Sequence, residues 1–419
     1  MFVESIRDSD KCVGCSNCKN TCPVNAITMV ANPEGFIVPQ IDHSICINCK
    51  NCESVCPHKE LKYKQMSELP DALIVRARNK NLLKTSASGG LCSILAYHYI
   101  EKLGGYVCGA VYNDDFTVRH IVSNDAADIK RMQQSKYVQS NLMDCFPIIK
   151  EKLRDGQHVL MIGTGCQIYA LKKFLTKEYD TLFCVDLVCH GTPSPKVQME
   201  YLKWLKQKHG EVISLNNRNK KLYPHSYVST YSATFESGET VINRYSDDPM
   251  ADAFFQHLSI RKSCFECQFK SVHRISDLTI GDFWFSEMYG FGEDRLGVNL
   301  CLVQSKKGKS VLSKIEDQIE TKLIDSETAI ILNGGMIYSS CKENKNRQQF
   351  FDTLGTEPFD SLVYRLDGIS SKSKKKNQMR EVLAPILRKT KYYNKQLAKS
   401  AQSRKNRNIP EESVGLKYY

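Results

Sequence analysis

Apolar positions along the chain change their period several times, and each change marks an element. ALIVRA (72–77) is a short apolar run of strand type. GGLCSILAYHYIEKLGG (89–105) repeats its apolar positions with helical spacing between glycines, which predicts a helix with a glycine stop. GYVCGAVYN (105–113) and FTVRHIV (116–122) predict paired strands, and NLMDCFPIIKEKLRDG (141–156) a helix interrupted at Pro147. A buried strand at 158–163, a helix at 166–175, a strand at 181–189 and a helix at 197–210 follow. This alternation argues for an α/β core. The region 211–305 is richer in strand patterns, so a mixed α/β assignment covers it. After about 368, Ser, Lys, Arg, Asn and Gln take over, yet Met379, Val382, Leu383, Ile386, Leu387, Tyr393 and Leu397 keep a helical stripe with Pro385 at its centre.

Composition fits a globular chain. Of 419 residues, 42% are hydrophobic and 25% charged, which argues against wholesale disorder. At roughly 150 residues per domain the length suggests about three units. No apolar run approaches the ~18 residues of a membrane span, and MFVESIRDSDKC lacks an apolar leader. A reducing cytosol is therefore the expected compartment, and the 18 cysteines are expected to be ligands or free thiols rather than disulfides. Residues 370–407 hold 13 Lys and Arg against one Glu, which equals the whole +12 net charge. The body is formally neutral, so overall charge says nothing about its substrate. The basic segment has three readings: a solvated tail, adsorption to an anionic membrane surface through the 379–397 stripe, or nucleic-acid binding. The last is disfavoured because no recognised fold or aromatic platform accompanies the charge.

An internal repeat carries the strongest chemistry. Cys12-x2-Cys15-x2-Cys18-x3-Cys22-Pro23 recurs 34 residues later as Cys46-x2-Cys49-x2-Cys52-x3-Cys56-Pro57. Three closely spaced thiolates grip one face of a cubane, and the fourth ligand comes from the other repeat. Cluster one is thus assigned to Cys12, Cys15, Cys18 and Cys56, and cluster two to Cys46, Cys49, Cys52 and Cys22. A pair of zinc sites is the alternative, but the Cys-Pro ending and the crossed fourth ligand fit zinc poorly. From 57 to about 70 the chain is polar and Lys-rich, as a linker or docking segment would be.

The body holds a weaker constellation. Cys166 opens a helix after GTG (163–165), Cys189 ends a strand before His190, and Cys264-x2-Cys267 precedes Arg274, Asp277 and GDFW (281–284). Spacing alone leaves open whether these form a third metal site or are scattered buried thiols. SASGGL (86–91) and GTG each run into a helix, as phosphate cradles and plain helix caps both do. Ile168 stands where a third dinucleotide-binding glycine would be, so a Rossmann NAD site is not supported. His190 is a candidate proton donor to a reduced product, weighed against a histidine hydrogen-bonded to backbone. Asp277 and Asp282 are weighed as catalytic against capping turns or pairing with an arginine such as Arg274.

SASGG (86–90), SKYVQS (135–140), GTGCQIYALKKFL (163–175), DLVCHGTPSP (186–195), CFEC (264–267) and RISDLTIGDFW (274–284) together resemble the beta subunit of coenzyme F(420) hydrogenase/dehydrogenase. That family comprises flavin- and iron–sulfur-containing reductases, and the likeness spans roughly 70–340. It implies FAD near Ser86, Ser88, Gly89, Gly90, Ser135, Lys136 and Tyr137. It also implies a third 4Fe-4S cluster on Cys166, Cys189, Cys264 and Cys267. Two positions depart from the pattern: Gly165 replaces a common proline, and Phe285 follows GDFW where glycine is usual.

The expected fold is α+β / α/β. A two-cluster 4Fe-4S ferredoxin domain (1–62) and a linker (63–71) precede a mixed α/β flavin-binding body (72–345) and a C-terminal region with the basic tail (346–419). The expected function is an oxidoreductase passing electrons through 4Fe-4S clusters to FAD and an organic acceptor, or the reverse. Alternatives are an electron-transfer subunit whose partner holds the acceptor, and a non-redox, membrane-associated assembly role. The expected partner is a redox protein such as ferredoxin or a hydrogenase or dehydrogenase subunit. The expected location is the cytoplasm, with a peripheral position at the inner membrane face as the variant the tail suggests.

Overall fold

The computed structural model describes residues 2–59, 63–65, 68–220, 230–245, 247–291, 296–333, 335–368, 379, 398–404, 409 and 416–418. The N-terminal cysteines sit among short elements: α1 (Phe2–Asp8), α2 (Asn17–Asn20), the antiparallel hairpin β1 (Ile27–Ala31) and β2 (Ile37–Ile41), and α3 (Asn51–Ser54). Val3, Cys18, Ile27, Ile41 and Cys52 form their small core. β3 (Tyr63–Gln65) follows, inside the segment expected to be a linker. It pairs with a strand from the far end of the chain, a partner no local pattern reveals.

The body is built on a mixed sheet. Its elements begin with β4 (Asp71–Ala77), α4 (Lys80–Thr85), α5 (Leu91–Tyr97), β5 (Tyr106–Tyr112), β6 (Val118–Ser123), α6 (Ala126–Met132), β7 (Ser140–Asn141) and α7 (Cys145–Arg154). Then come β8 (Val159–Thr164), α8 (Gly165–Leu175), β9 (Leu182–Leu187), α9 (Pro195–His209), β10 (Val212–Asn216), β11 (Thr230–Phe235), β12 (Thr240–Arg244) and α10 (Pro249–Phe255). β13 (Leu278–Asp282), β14 (Asn299–Val303), α11 (Lys306–Lys314), β15 (Ile319–Ile324), α12 (Ser326–Leu332), α13 (Arg347–Thr353), α14 (Phe359–Leu366) and β16 (Leu416–Tyr418), the partner of β3, complete it. Among the described residues the large sheet has the order β15-β4-β14-β13-β9-β8-β5-β6-β7, while β10-β11-β12 form a separate antiparallel sheet. The neighbours β13, β9, β8 and β5 run parallel.

Strand alternation assigns each residue to a layer. In β8, Leu160 packs with Leu91, Ile94 and Val311 on one face, while Val159 and Met161 pack with Phe146, Ile168 and Leu171 on the other. Helices thus cover both faces, as buried parallel strands require. Pro147 does not interrupt α7. It lies in the first turn, where the missing N–H has no intrahelical partner to lose.

The N-terminal unit is pressed into the body. Phe36, 1% exposed, joins Val197, Tyr201 and Phe351 in the core around α9 and α13. Arg347 grips Glu34 with both terminal nitrogens, at 2.8 and 2.5 Å. The Asn17 amide donates to Val55 O at 2.9 Å and to Ala170 O of α8 at 2.8 Å. Gly14 has φ +65°, and a Cβ there would lie 2.3 Å from the Gln139 side chain and 2.6 Å from Ile37 O, so glycine is required.

The stripe expected at 379–397 lies outside the described residues apart from Met379. Residues 398–404 are helical and touch the body on one side: Ala401 is 2% exposed and the Arg404 guanidinium lies over Trp284 at 4.9 Å, while 398–400, 402 and 403 are exposed. Among the described residues no helix is long and apolar enough to cross a membrane.

Candidate functional site

The two N-terminal cysteine loops share a backbone pattern. Gly14 and Ser16 in the first, and Asn48 and Lys50 in the second, all have φ between 55° and 65°. These pairs are related by the 34-residue repeat. Alternating right- and left-handed residues turn successive N–H groups inward, the geometry of an anion nest. Gly14 N–H donates to Cys12 Sγ at 3.4 Å and Ala26 N–H to Cys22 Sγ at 3.2 Å.

Cys12, Cys15 and Cys18 line a cavity together with Cys56 from the other repeat. Cys22 packs in the small core with Cys46, Cys52 and Cys18, and it does not line that cavity. Burial pushes the Cys15 and Cys18 thiols well up and the Cys56 thiol to about 11. Thiolates here therefore need a cation, and a bound metal deprotonates such groups outright. The donor set fits an iron–sulfur cluster. The two sets differ in exposure. Cys15, Cys18 and Cys56 are buried near the body, whereas Cys49 is exposed between Ile47, 60% exposed, and the chain's turn into α3.

The body thiols are positioned by the parallel strands. Thr164 and Leu187 are register partners at the carboxyl ends of β8 and β9, and Cys166 and Cys189 each follow two residues later. Ligands of open α/β sheets gather at such ends. Cys166 lies in the first turn of α8, whose N-cap Thr164 makes a capping box with Gln167. Cys264 and Cys267 approach from the loop after α10. Each of Cys189 and Cys267 feels Cys166 and Cys264 electrostatically, and burial pushes the pair up to about 12 and about 11. These four thiols thus share one neighbourhood, and their donor chemistry fits a second kind of cluster site. Gly165 departs from proline for a visible reason: a Cβ there would meet Arg274 Nη1 at 2.6 Å.

Arg261 lies between the two neighbourhoods. Its Nη1 donates to Val13 O at 2.6 Å, and its Nε has no hydrogen-bond acceptor. Burial opposes its charge, but Cys264, Cys166 and Cys12 outweigh that and raise its pKa. Sequence reasoning missed this residue, because nothing local distinguishes it from a surface arginine.

A cavity of about 870 Å³ opens beside the carboxyl end of β5, within the range of cofactor sites. Arg78, Lys130, Arg131 and Lys136 line it against one acid, Glu101, and Tyr97 and Tyr112 add aromatic faces. Of the residues expected around a flavin, Ser135 and Lys136 line this cavity. Burial holds the Lys136 ammonium down at about 7, and Nζ donates to Gln133 O at 2.8 Å. Ser86, Ser88, Gly89 and Gly90 are buried beneath it instead. The Ser86 hydroxyl donates to Leu82 O and that of Ser88 to Val298 O, and a Cβ on Gly89 would strike Asn299 and Val75 O. That turn packs closely against β4 and β14 and does not line the cavity. Tyr137 turns away from the lysine, stacks on Phe254 at 5.0 Å, and packs in the cluster containing Cys264.

His190 does not line the cavity. Its Nε2 is 2.9 Å from His257 Nε2, and burial holds its pKa down at about 4, so the ring is neutral at pH 7 and a poor acid. Asp277 accepts from Cys184 N and the Ser305 hydroxyl, Asp282 pairs with Arg218 at 2.6 Å, and Arg274 pairs with Asp186 at 2.8 Å. The two aspartates weighed as catalytic hold structure.

Residues 156–327 match the family model for the C terminus of the coenzyme F(420) hydrogenase/dehydrogenase beta subunit, and residues 11–59 match the 4Fe-4S dicluster domain. No protein of curated function matches the chain. Among solved structures, a chain of the F(420)-reducing NiFe hydrogenase complex from Methanosarcina barkeri, studied by xenon derivatization, is 19% identical with a TM-score of 0.42, over 62% of this chain and 82% of that one.

Proposed function

We propose that this chain, which matches a 4Fe-4S dicluster domain and the C-terminal domain of the coenzyme F(420) hydrogenase/dehydrogenase beta subunit, is an iron–sulfur electron-transfer protein and a flavin-dependent oxidoreductase with three clusters in line. Cubane clusters exchange single electrons, and FAD converts these to the pairs an organic acceptor needs. Cys22, Cys46, Cys49 and Cys52 hold the outermost cluster, beside the exposed Ile45 and Ile47 where a redox partner docks. Cys12, Cys15, Cys18 and Cys56 hold the next, and Cys166, Cys189, Cys264 and Cys267 the third.

The observation that carries this reading is Arg261. Its guanidinium is buried and donates to Val13 O, beside Cys12, at 2.6 Å, and Cys264, Cys166 and Cys12 are the thiols that favour its charge, which supports neighbouring second and third sites. Tyr137 continues the line, since it packs with Cys264 while its chain neighbour Lys136 lines the basic cavity. Lys136, Arg78, Lys130 and Arg131 suit the diphosphate of FAD, and Tyr97 and Tyr112 give its rings apolar faces. The acceptor approaches from the open side of this cavity or is held by a partner subunit.

Anaerobic purification with iron, sulfide and flavin analysis tests the proposal. Three cubanes require about twelve iron atoms per chain, with one FAD that low-potential ferredoxin reduces. About eight iron atoms and no flavin would confine redox chemistry to the N-terminal unit and overturn it.

A further inference from the structure

His190, His257 and Cys341 converge from three segments far apart in the chain: the end of β9, the end of α10, and the loop before α13. Their ligand atoms all lie within 4.8 Å of one another, and the two Nε2 atoms are 2.9 Å apart. We propose that these three side chains form a mononuclear site for a zinc-class divalent cation, with a fourth, open coordination position.

The donor set points to that class. Two imidazoles and one thiolate are borderline-soft ligands, and zinc takes them at about 2.0–2.3 Å in a tetrahedron. The tetrahedron's edges are then roughly 3.3–3.7 Å, so the observed atoms need only small rotations to seat the ion. Cys341 is available for the role. It is half-buried and packs beside Cys264, Phe254 and Ile260, and it is not one of the four thiols assigned to the third cluster. Its Sγ now donates to His190 O at 3.4 Å, and metal binding releases that proton.

The outer contacts match those of a metal histidine. His257 Nδ1 is 2.7 Å from Lys342 O, the carbonyl contact that fixes a ligating ring and turns Nε2 toward the metal. His257 also has φ +61°, a left-handed conformation unusual for a non-glycine residue and typical of functional positions. Phe254 and Phe255 cover the His190 ring at 5.3 and 5.8 Å. All three ligands are half-buried, so the apolar wall is one-sided and the open position faces solvent, as in zinc sites that bind water. The site stands whether or not the neighbouring thiols hold a cluster.

The test uses full-length protein, purified anaerobically with its iron complement, exchanged into buffer with excess zinc ion and then desalted. Wild type should retain about one zinc per chain, and X-ray absorption at the zinc edge should show two nitrogens, one sulfur and one oxygen. His257→Ala and Cys341→Ser should each lose that zinc with iron content and circular dichroism unchanged. His257→Gln provides a milder variant with the same expected loss. Wild type without zinc, variants that keep it, or variants that lose iron in its place would each overturn the site.

Discussion

Replacing Arg261 with Met removes the charge between the two buried cysteine sets while keeping a similar stem. Arg261 is 6% exposed, and its thiol neighbours are Cys264, Cys166 and Cys12. For any charge about 6 Å from a cluster, at an effective dielectric of about 20, the energy of an added electron changes by about 3 kcal/mol. For a one-electron couple that is about 120 mV. A positive charge favours the reduced, more negative cluster, so its loss lowers the potential. The clusters on Cys12 and on Cys166 and Cys264 should both fall, by tens of millivolts to about 120 mV. The cluster on Cys46, Cys49 and Cys52 should move least, because the thiols with the largest effect on Arg261 are Cys264, Cys166 and Cys12. Burial leaves little room for salt to screen the effect, and Arg261→Lys should restore most of it. Potentiometric titration followed by electron paramagnetic resonance resolves the centres. Unchanged potentials, or an equal fall in all three, would refute the bridging placement.

Cys56→Ala should remove the cluster of the 12–18 loop and spare that of the 46–52 loop; the reverse loss, seen by the same spectroscopy, would overturn the crossed pairing. Because burial holds Lys136 at about 7 and an anion favours its charged form, the Kd for FAD should be flat below about pH 7 and rise roughly tenfold per pH unit above it. Fluorescence titration checks this, and a profile flat to about pH 9 would sink it. Asp186→Asn leaves Arg274, 5% exposed on its side chain, without its anion and should lower stability by about 3–5 kcal/mol; a loss under about 1 kcal/mol in denaturant unfolding would discount the pair. If the basic segment adsorbs to anionic lipid, replacing Lys372, Lys374, Lys375 and Lys376 with Gln should weaken sedimentation with anionic vesicles by about 1 kcal/mol per charge, and no binding by the unchanged protein would refute that reading.

What the sequence revealed depended on how local the determinant is. A cubane fixes the spacing of its ligands within one loop, so the eight N-terminal cysteines were visible without a fold. Strands and helices of the sheet followed from periods of about two and 3.6, and a mixed α/β body around them is what folds. The contacts that hold the two units together were not visible, since Asn17 meets Ala170 and Glu34 meets Arg347 only after folding. The expected flavin residues illustrate the same limit. SASGG looks like a phosphate cradle because glycine and serine suit one, yet its hydroxyls and its Gly89 are consumed by packing. Of the cavity's cations only Lys136 lies in a recognisable motif, SKYVQS, while Arg78, Lys130 and Arg131 carry none. Gly165 looked like a departure until folding placed Arg274 in the space a side chain would need.

The grip of Arg347 on Glu34, with Phe36 sunk between α9 and α13, has a consequence for how such proteins diversify. A two-cluster module joined by a loose tether is interchangeable: recombination swaps it for another with different potentials, and the receiving body is indifferent. Here a replacement module would have to bring its own glycine at position 14, asparagine at 17 and Glu-Gly-Phe at 34–36, or leave the buried Arg347 with only the longer contact to half-exposed Glu343 at 3.9 Å. Taking its close partner from such a buried charge is destabilising. The two halves are therefore bound to be inherited together, and change in the electron-delivering half is confined to the outward loop around Ile45–Cys49, where a new donor can be accommodated without disturbing the seam.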